Sequence, residues 1–252
     1  MPLKLAFKAS ERPEAQQACE RLKARYGSSD SPDVVVALGG DGFLLECLHE
    51  HLNDSVPIFG MNRGSVGFLL NEYGEDDLVQ RIYAAERTLI HPLRMRATNR
   101  DGESFEALAL NEVSLLRQTH QSAKLKIYVD DKVRLEELIC DGCMLATPAG
   151  STAYNLSAHG PILPLTAQAL ALTPISAFRP RRWRGAVLPH TKRVRFEVLE
   201  GDKRPVSASA DTFEVRHVRD VQIEECRDMS ATILFDAGKG FDERVLAEMF
   251  TA

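Results

Sequence analysis

Val34-Val35-Val36-Ala37-Leu38-Gly39-Gly40-Asp41-Gly42 is the stretch that decides the fold. Consecutive apolar residues over Val34–Leu38 read as a strand buried on both faces, the signature of a parallel sheet. The chain then turns through glycines, and Phe43-Leu44-Leu45-Glu46-Cys47-Leu48 resumes with helical spacing. Glycines permit a sharp turn and let phosphate oxygens approach backbone N–H groups, which the following helix N-terminus aims at the anion. A carboxylate inside such a cradle repels phosphate, so anion binding alone does not account for Asp41. It suits a group that takes a proton from a hydroxyl or shares a metal with phosphates. By itself, the tetrapeptide is equally compatible with a turn that only caps the helix.

Around this stretch, residues 1–90 alternate strand and helix. Leu3, Leu5 and Phe7 mark a short strand, and Glu11 to Tyr26 form an amphipathic helix with Ala15, Ala18, Cys19 and Leu22 on one face. A helix over Phe43–Leu52, a third strand over Val56–Met61 and a helix over Glu75–Ala85 follow. Such alternation implies parallel strands with crossover helices, and ligands then sit at the carboxyl ends of the strands. Both Gly39–Gly42 and Asn62-Arg63-Gly64-Ser65-Val66-Gly67 lie there. From about Leu89 the period changes to two, over Phe105–Leu110, Val113–Arg117, Leu125–Val129, Val133–Leu138, Val194–Leu199, Phe213–Val218 and Val221–Glu225. Asp130-Asp131-Lys132 reads as a hairpin turn. Only Thr152–Ser157 and Ala167–Leu172 offer helical turns in this half, and Phe241–Phe250 is helical again. The expected architecture is an α/β N-terminal domain with a parallel sheet over residues 1–90, rejoined by 237–252. A mainly-β, sandwich-like C-terminal domain spans 91–236.

A chain of 252 residues accommodates one large domain or two modest ones, and 44% apolar with 27% charged content sets disorder aside. The net charge of −5 gives no global attraction for nucleic acid or an anionic membrane. A local basic cluster, Arg179-Pro180-Arg181-Arg182-Trp183-Arg184, reads as a surface or ligand contact. No apolar run approaches the ~20 residues that span a bilayer. The N-terminus lacks the regions of a signal peptide, so a cytoplasmic location is expected. Cys19, Cys47, Cys140, Cys143 and Cys226 form an odd, scattered set, unlike a disulfide framework. Cys140-Asp141-Gly142-Cys143 has CxxC spacing, but its flanks alternate like a strand, which would send the thiols to opposite faces. His49 and His51, two apart in a helical segment, cannot share a face. No dedicated protein metal site is expected.

Further segments carry site chemistry. Asn62 to Leu69 is a second glycine-bearing loop after a buried strand. Asn111-Glu112 ends the apolar run Ala107–Leu110 with an amide that can read a base edge and a carboxylate that can accept from ribose hydroxyls; taken alone, the pair also reads as a strand end. Asp141-Gly142 leads into Ala146-Thr147-Pro148-Ala149-Gly150-Ser151-Thr152-Ala153-Tyr154-Asn155-Leu156-Ser157, a hydroxyl-rich loop opening a short helix. Its bland reading is a decorated turn with Ser151 or Thr152 as N-cap.

In this order the segments resemble the NAD kinase family, from Asp33 to about Pro164. The shared pattern is Gly-Gly-Asp-Gly, Asn-x-Gly-x-x-Gly-Phe-Leu, Asn-Glu, and Asp-Gly followed by Thr-Pro-x-Gly-Ser-Thr-Ala-Tyr with a Ser three residues on. The resemblance implies phosphoryl transfer from ATP, or polyphosphate, to the 2′-hydroxyl of the adenosine ribose of NAD. It implies a divalent metal, Mg²⁺ or Mn²⁺, arriving with the nucleotide, and a homodimer or homotetramer. Asp41 matches the catalytic aspartate that activates the ribose hydroxyl. Gly40, Gly42 and Phe43 match the pocket lining, Asn111 and Glu112 the pair that holds the dinucleotide. Asp141, Thr152, Ala153, Tyr154 and Ser157 match the loop around its nicotinamide and adenine ends. Asn62, Gly64 and Asp211 are weaker matches. The chain departs from the pattern at Ala158-His159-Gly160-Pro161, where a Gly-Gly-Pro is common, and at Ser209-Ala210-Asp211-Thr212, where Asp-Gly-Gln is common. A lipid or sphingoid kinase shares the Gly-Gly-Asp-Gly turn, but Phe43 stands where those continue with Thr. A non-catalytic NAD(P)-binding regulator has no use for a carboxylate beside phosphates. An oxidoreductase lacks its Gly-x-Gly-x-x-Gly here.

Overall fold

The computed structural model describes residues 2–52, 54–64, 67–240 and 243. The chain divides into two compact units, one of 1–90 with 228–252, the other of 91–227. The expected helix over Phe241–Phe250 lies outside the described residues, Glu243 excepted.

In the first unit, β1 (Leu5–Ala9), α1 (Pro13–Tyr26), β2 (Val34–Gly39), α2 (Asp41–Glu50), β3 (Ile58–Asn62), α3 (Leu78–Ala84) and β4 (Glu86–Ile90) follow in order. All six residues of β2 are buried, because α1 covers one face of the sheet and α2 the other. Leu5, Phe7, Ala18, Leu22, Val34, Val36, Leu38, Phe59 and Met61 form the core beneath α1. Strands β1, β2 and β3 pair in parallel, so the loops after β2 and β3 emerge at the same edge. α3 is shorter than the expected Glu75–Ala85, starting only after Asp77 in a left-handed conformation.

The second unit holds β5 (Leu93–Asn99), β6 (Ser104–Ala109), β7 (Glu112–Arg117), β8 (Ala123–Val129), β9 (Lys132–Cys140), β10 (Gly142–Ala146), a 3₁₀ turn (Ala149–Thr152) and α4 (Tyr154–Ser157). β11 (Ala169–Ile175), β12 (Ala186–Pro189), β13 (Val194–Val198), β14 (Val206–Ala210), β15 (Phe213–Val215) and β16 (Val218–Glu225) complete it. They form two six-stranded antiparallel sheets, ordered β12-β11-β10-β7-β14-β15 and β6-β5-β16-β13-β8-β9. Inward residues of both, among them Leu93, Met95, Leu115, Leu125, Leu145 and Phe196, make one core, so this unit is the expected sandwich. The β8–β9 hairpin closes through Asp130 and Asp131, both at positive φ (50° and 60°), the backbone a two-residue primed turn requires.

The structure departs from the sequence expectations at three further places. β17 (Ala231–Phe235) belongs to the first unit, inserted between β3 and β4 in the order β1-β2-β3-β17-β4, so the domain change falls at 227/228 and not at 236/237. Ala167–Leu172 is no helical turn: β11 pairs with β10 on one side and β12 on the other, and a short apolar run carries no period that tells helix from strand. Cys140 and Cys143 do not face opposite ways. Cys140 ends β9 and Cys143 lies in β10, in different sheets, and the chain changes sheet at Asp141. Both thiols therefore enter the shared core. Burial pushes Cys140 up to about 12 and Cys143 well above its ordinary value, which leaves them inert thiols.

Candidate active site

In the first unit the carboxyl end of β2 runs directly into α2, with Gly40 as N-cap and Asp41 as first helical residue. Asp41 is not a cap for its own helix. Its Oδ2 accepts the Phe68 N–H at 2.8 Å and its Oδ1 the Leu69 N–H at 3.1 Å, so the carboxylate anchors the second glycine loop. That loop is further held by the Arg63 N–H donating to the Gly39 carbonyl at 2.8 Å and by the Gly64 N–H donating to Asn62 Oδ1 at 2.7 Å. A side chain at Gly64 would meet Gly40 Cα at 3.4 Å, so the two loops touch through their backbones. Among the described residues nothing would lie within 4 Å of a Cβ at Gly40 or Gly42, which leaves their backbone approachable by a ligand. Phe43 does something the sequence did not suggest: its ring occupies the place a Cβ at Gly39 would need, 2.8 Å from it, and so packs the turn. A cavity of about 420 Å³ adjoins the loop, lined by Asn62, Gly67, Asn71, Glu72 and Lys239.

Asn71, absent from the sequence-based candidates, supports this loop. Fully buried, it donates from Nδ2 to the Leu234 carbonyl at 2.9 Å and accepts the Asp236 N–H on Oδ1 at 2.9 Å. Arg81 clamps the same region through Nε and Nη2 on the Asp236 carboxylate, at 3.0 and 2.7 Å. No local signal marks the roles of these side chains, because Leu234 and Asp236 lie more than 150 positions away.

In the second unit Asn111 and Glu112 stand at the start of β7. The Asn111 carbonyl accepts the Thr147 N–H at 2.9 Å, and a Cβ on Gly150 would lie 2.1 Å from that carbonyl oxygen. Only glycine lets the 146–157 loop seat against this turn. Glu112 Oε2 is buried without a hydrogen-bond partner. Burial, then the nearby Asp211 charge, pushes the Glu112 carboxyl up to about 7. Asp211, at φ 48°, accepts the Leu110 N–H on Oδ2 at 2.7 Å and the Asn111 and Glu112 N–H groups on Oδ1 at 3.1 and 3.3 Å.

The loop after β10 is built around polar side chains turned inward. Thr147 Oγ1 donates to the Leu110 carbonyl at 2.6 Å and accepts the Gly150 N–H at 3.0 Å. Ser151 Oγ accepts the Leu163 N–H at 2.9 Å, and Asn155 Nδ2 donates to the Ser151 and Pro161 carbonyls at 3.1 and 2.9 Å. Thr173 Oγ1 donates to Asn155 Oδ1 at 2.6 Å. Neither Ser151 nor Thr152 acts as an N-cap; the Thr152 hydroxyl turns back to the Ala149 carbonyl at 3.4 Å. Thr147, Ser151 and Asn155 lie in the quoted motif but escaped selection, since nothing local separates a scaffold hydroxyl from a ligand-facing one. Ala153 and Tyr154 are half-buried and Ser157 exposed. Tyr154 and Ser157 line a cavity of about 350 Å³ with His159, Arg181, Trp183 and Arg184. Tyr154 is raised by burial, then by the Glu112 and Asp141 charges. The Asp141 carboxylate accepts Arg117 Nε at 2.6 Å.

The structure thus gathers Gly40, Asp41, Gly42, Phe43, Asn62 and Gly64 at one edge of the first unit. In the second it gathers Asn111, Glu112 and Asp211 at the start of β7, with Thr152, Ala153, Tyr154 and Ser157 on the loop seated there. Asp141 precedes β10 at the opposite end from Thr147, and the loop folds back so that the Asp141 charge acts on Tyr154. Among the described residues no three or more His, Cys, Asp or Glu cluster as a metal ligand set. No helix among them is long and apolar enough to cross a membrane.

Comparison with known proteins bears on both units. The ATP-NAD kinase N-terminal domain model matches residues 3–82, and the ATP-NAD kinase C-terminal domain model matches residues 110–234. An NAD kinase of Caulobacter vibrioides is 65% identical over 251 residues, 99% of this chain and 96% of that protein. An NAD kinase of Rhizobium meliloti is 58% identical over 249 residues, 98% of this chain and 97% of that one. Two solved structures share the fold. A yeast NADH kinase complexed with NADH superposes with a TM-score of 0.86 at 20% identity, over 100% of this chain and 89% of that one. An NAD kinase from Archaeoglobus fulgidus in complex with ATP gives 0.76 at 23%, over 98% and 97%. With both domain models matched and relatives alike along nearly its whole length, this chain belongs to the ATP-NAD kinase family.

Proposed function

We propose that the protein transfers the terminal phosphoryl group of ATP to the 2′-hydroxyl of the adenosine ribose of NAD, with Asp41 as the base that takes the hydroxyl proton. The observation that carries this reading is the Asp41 carboxylate, fixed by two backbone amides beside glycines whose outer faces are open. A carboxylate locked in direction at a phosphate-friendly turn is poised for proton removal from a bound hydroxyl. Asn111 reads the base edge, and the unpartnered Glu112 oxygen accepts from a ribose hydroxyl, the donor its burial leaves it lacking. Tyr154 and Ser157 extend this grip along their cavity.

Among the described residues no cluster of His, Cys, Asp or Glu makes a cage, and Asp41 beside the glycine turn fits a divalent ion carried on the nucleotide. Mg²⁺ commonly binds through one or two carboxylates plus substrate phosphates, and Asp41 is the carboxylate placed to contribute. Held there, such an ion would supply charge neutralisation to the phosphates. Purified protein with NAD, Mg²⁺ and either ATP or polyphosphate, scored for NADP, tests the reading; product with neither donor, or undiminished product on chelation, would overturn it. Within the same assay, Asn111→Ala should raise KM for NAD while sparing kcat, because the contact is made equally in ground and transition states. A loss confined to kcat would assign Asn111 elsewhere.

A further inference from the structure

We propose that Asp211 is a positioning residue for the dinucleotide, its carboxylate holding the backbone of residues 110–112 so that Asn111 and Glu112 present their side chains as one unit. The inference rests on the assignment of Asn111 and Glu112 to NAD.

Three consecutive N–H groups converge on a single carboxylate, at 2.7, 3.1 and 3.3 Å, from the segment where the chain passes from β6 to β7. Leu110 and Asn111 precede β7, and on its β14 side the ladder begins only at Val113 opposite Ala210. Without Asp211, these part-buried N–H donors would lose their acceptor. The contact is reciprocal, since the Asp211 N–H donates to the Glu112 carbonyl at 3.2 Å. Asp211 pays backbone strain to reach this place, standing at φ 48°, a conformation that Asp and Asn tolerate better than other side chains. With its carboxylate turned onto the backbone of 110–112, Asp211 acts on the ligand through Asn111 and Glu112.

The same placement has an electrostatic consequence. Among the described residues, the titratable groups whose charge reaches Glu112 are Asp211, across the turn, and Tyr154, from α4. The Asp211 charge therefore works against ionisation of Glu112, the state that accepts hydroxyl hydrogens best, and delays it towards neutral pH. Affinity for NAD should rise as pH rises through neutrality, and neutralising Asp211 should move that rise to lower pH.

The test compares wild type with Asp211→Asn, Asp211→Ala and Glu112→Gln. KM and Kd for NAD, and KM for ATP, are measured from mildly acidic to mildly alkaline pH, with folding checked by circular dichroism. Asn keeps one acceptor and tolerates the left-handed backbone, so Asp211→Asn should fold. It should raise KM for NAD about tenfold, equivalent to ~1.4 kcal/mol. KM for ATP should not move, and the pH midpoint of NAD binding should shift downward. Asp211→Ala should show a larger KM effect, and Glu112→Gln should abolish the pH dependence. An Asp211→Asn protein with unchanged KM for NAD and an unmoved midpoint, beside a sensitive Glu112→Gln, overturns the positioning role and leaves Glu112 in the site. An insensitive Glu112→Gln overturns the assignment of Glu112, and this inference with it.

Discussion

Asp41→Asn is expected to lower kcat by ~10²–10⁴-fold, the contribution of general-base catalysis, with the fold intact. Asparagine is nearly isosteric but cannot take a proton at neutral pH. It also offers one acceptor oxygen where Asp41 offers two, and Phe68 and Leu69 each use one. The structural and chemical losses separate in kinetics. A loosened loop would raise the KM of both substrates, whereas loss of the base lowers kcat and kcat/KM together. The measurement is steady-state kinetics of Asp41→Asn and wild type over a range of NAD and ATP concentrations, with thermal unfolding as the control for folding. An Asp41→Asn enzyme retaining more than about a tenth of wild-type kcat would remove Asp41 from the chemical step.

The second large effect concerns stability in the absence of substrate. Glu112 titrates at about 7 in the folded protein against an ordinary value of 4.5. A carboxyl raised on folding binds a proton more tightly in the native state than in the unfolded chain. Its contribution is fully present below the unfolded value and is lost as pH rises through the folded one. Between these limits the loss is on the order of 3 kcal/mol, at about 1.4 kcal/mol per pH unit. Glu112→Gln carries no ionisable group there, so the difference in unfolding free energy between variant and wild type should grow from near zero in mild acid to that magnitude above neutrality. Denaturant unfolding of both proteins at a series of pH values checks it. A constant difference across the series would mean that Glu112 ionises as an ordinary surface carboxylate. Saturating NAD should shrink the difference, because a hydroxyl donated to Oε2 compensates the buried charge.

Much of the fold was legible because its strongest signals are local. Val34–Leu38 is buried on both faces and says so by composition alone; Asp130-Asp131 marks its hairpin by residue type. The first misreadings arise where partners are remote or where composition carries no period. Ala231-Thr232-Ile233-Leu234-Phe235 is a buried strand by the same rule as Val34–Leu38, yet its place beside β3 depends on Ile58, far earlier in the chain, opposite Ile233. Ala167–Leu172 could not be told from a helical turn until β10 and β12 flanked it. At the site, sequence motifs located the loops but not the division of labour within them. Thr147, Ser151 and Asn155 hold the loop from inside, while Tyr154 and Ser157 face a cavity. Asp211 resembled a weak ligand contact because its true partners, three backbone amides about 100 residues away, leave no mark on its neighbours.

The position of β17 governs the order in which the molecule can be made. β4 pairs with β17 and with no earlier strand, so residues 86–90 have no ladder partner in their sheet until residues 231–235 have been synthesised. The whole second unit, 91–227, emerges from the ribosome in between and contains every partner its two sheets need. A nascent chain ending at 227 thus has its later-made half able to close while its earlier-made half still exposes one edge of β3, the reverse of the usual N-terminal-first sequence. The Gly39–Gly42 turn is among the first pieces of the molecule to be synthesised. The support that Asn71 and Arg81 give to the loop opposite it, through Leu234 and Asp236, is among the last to form.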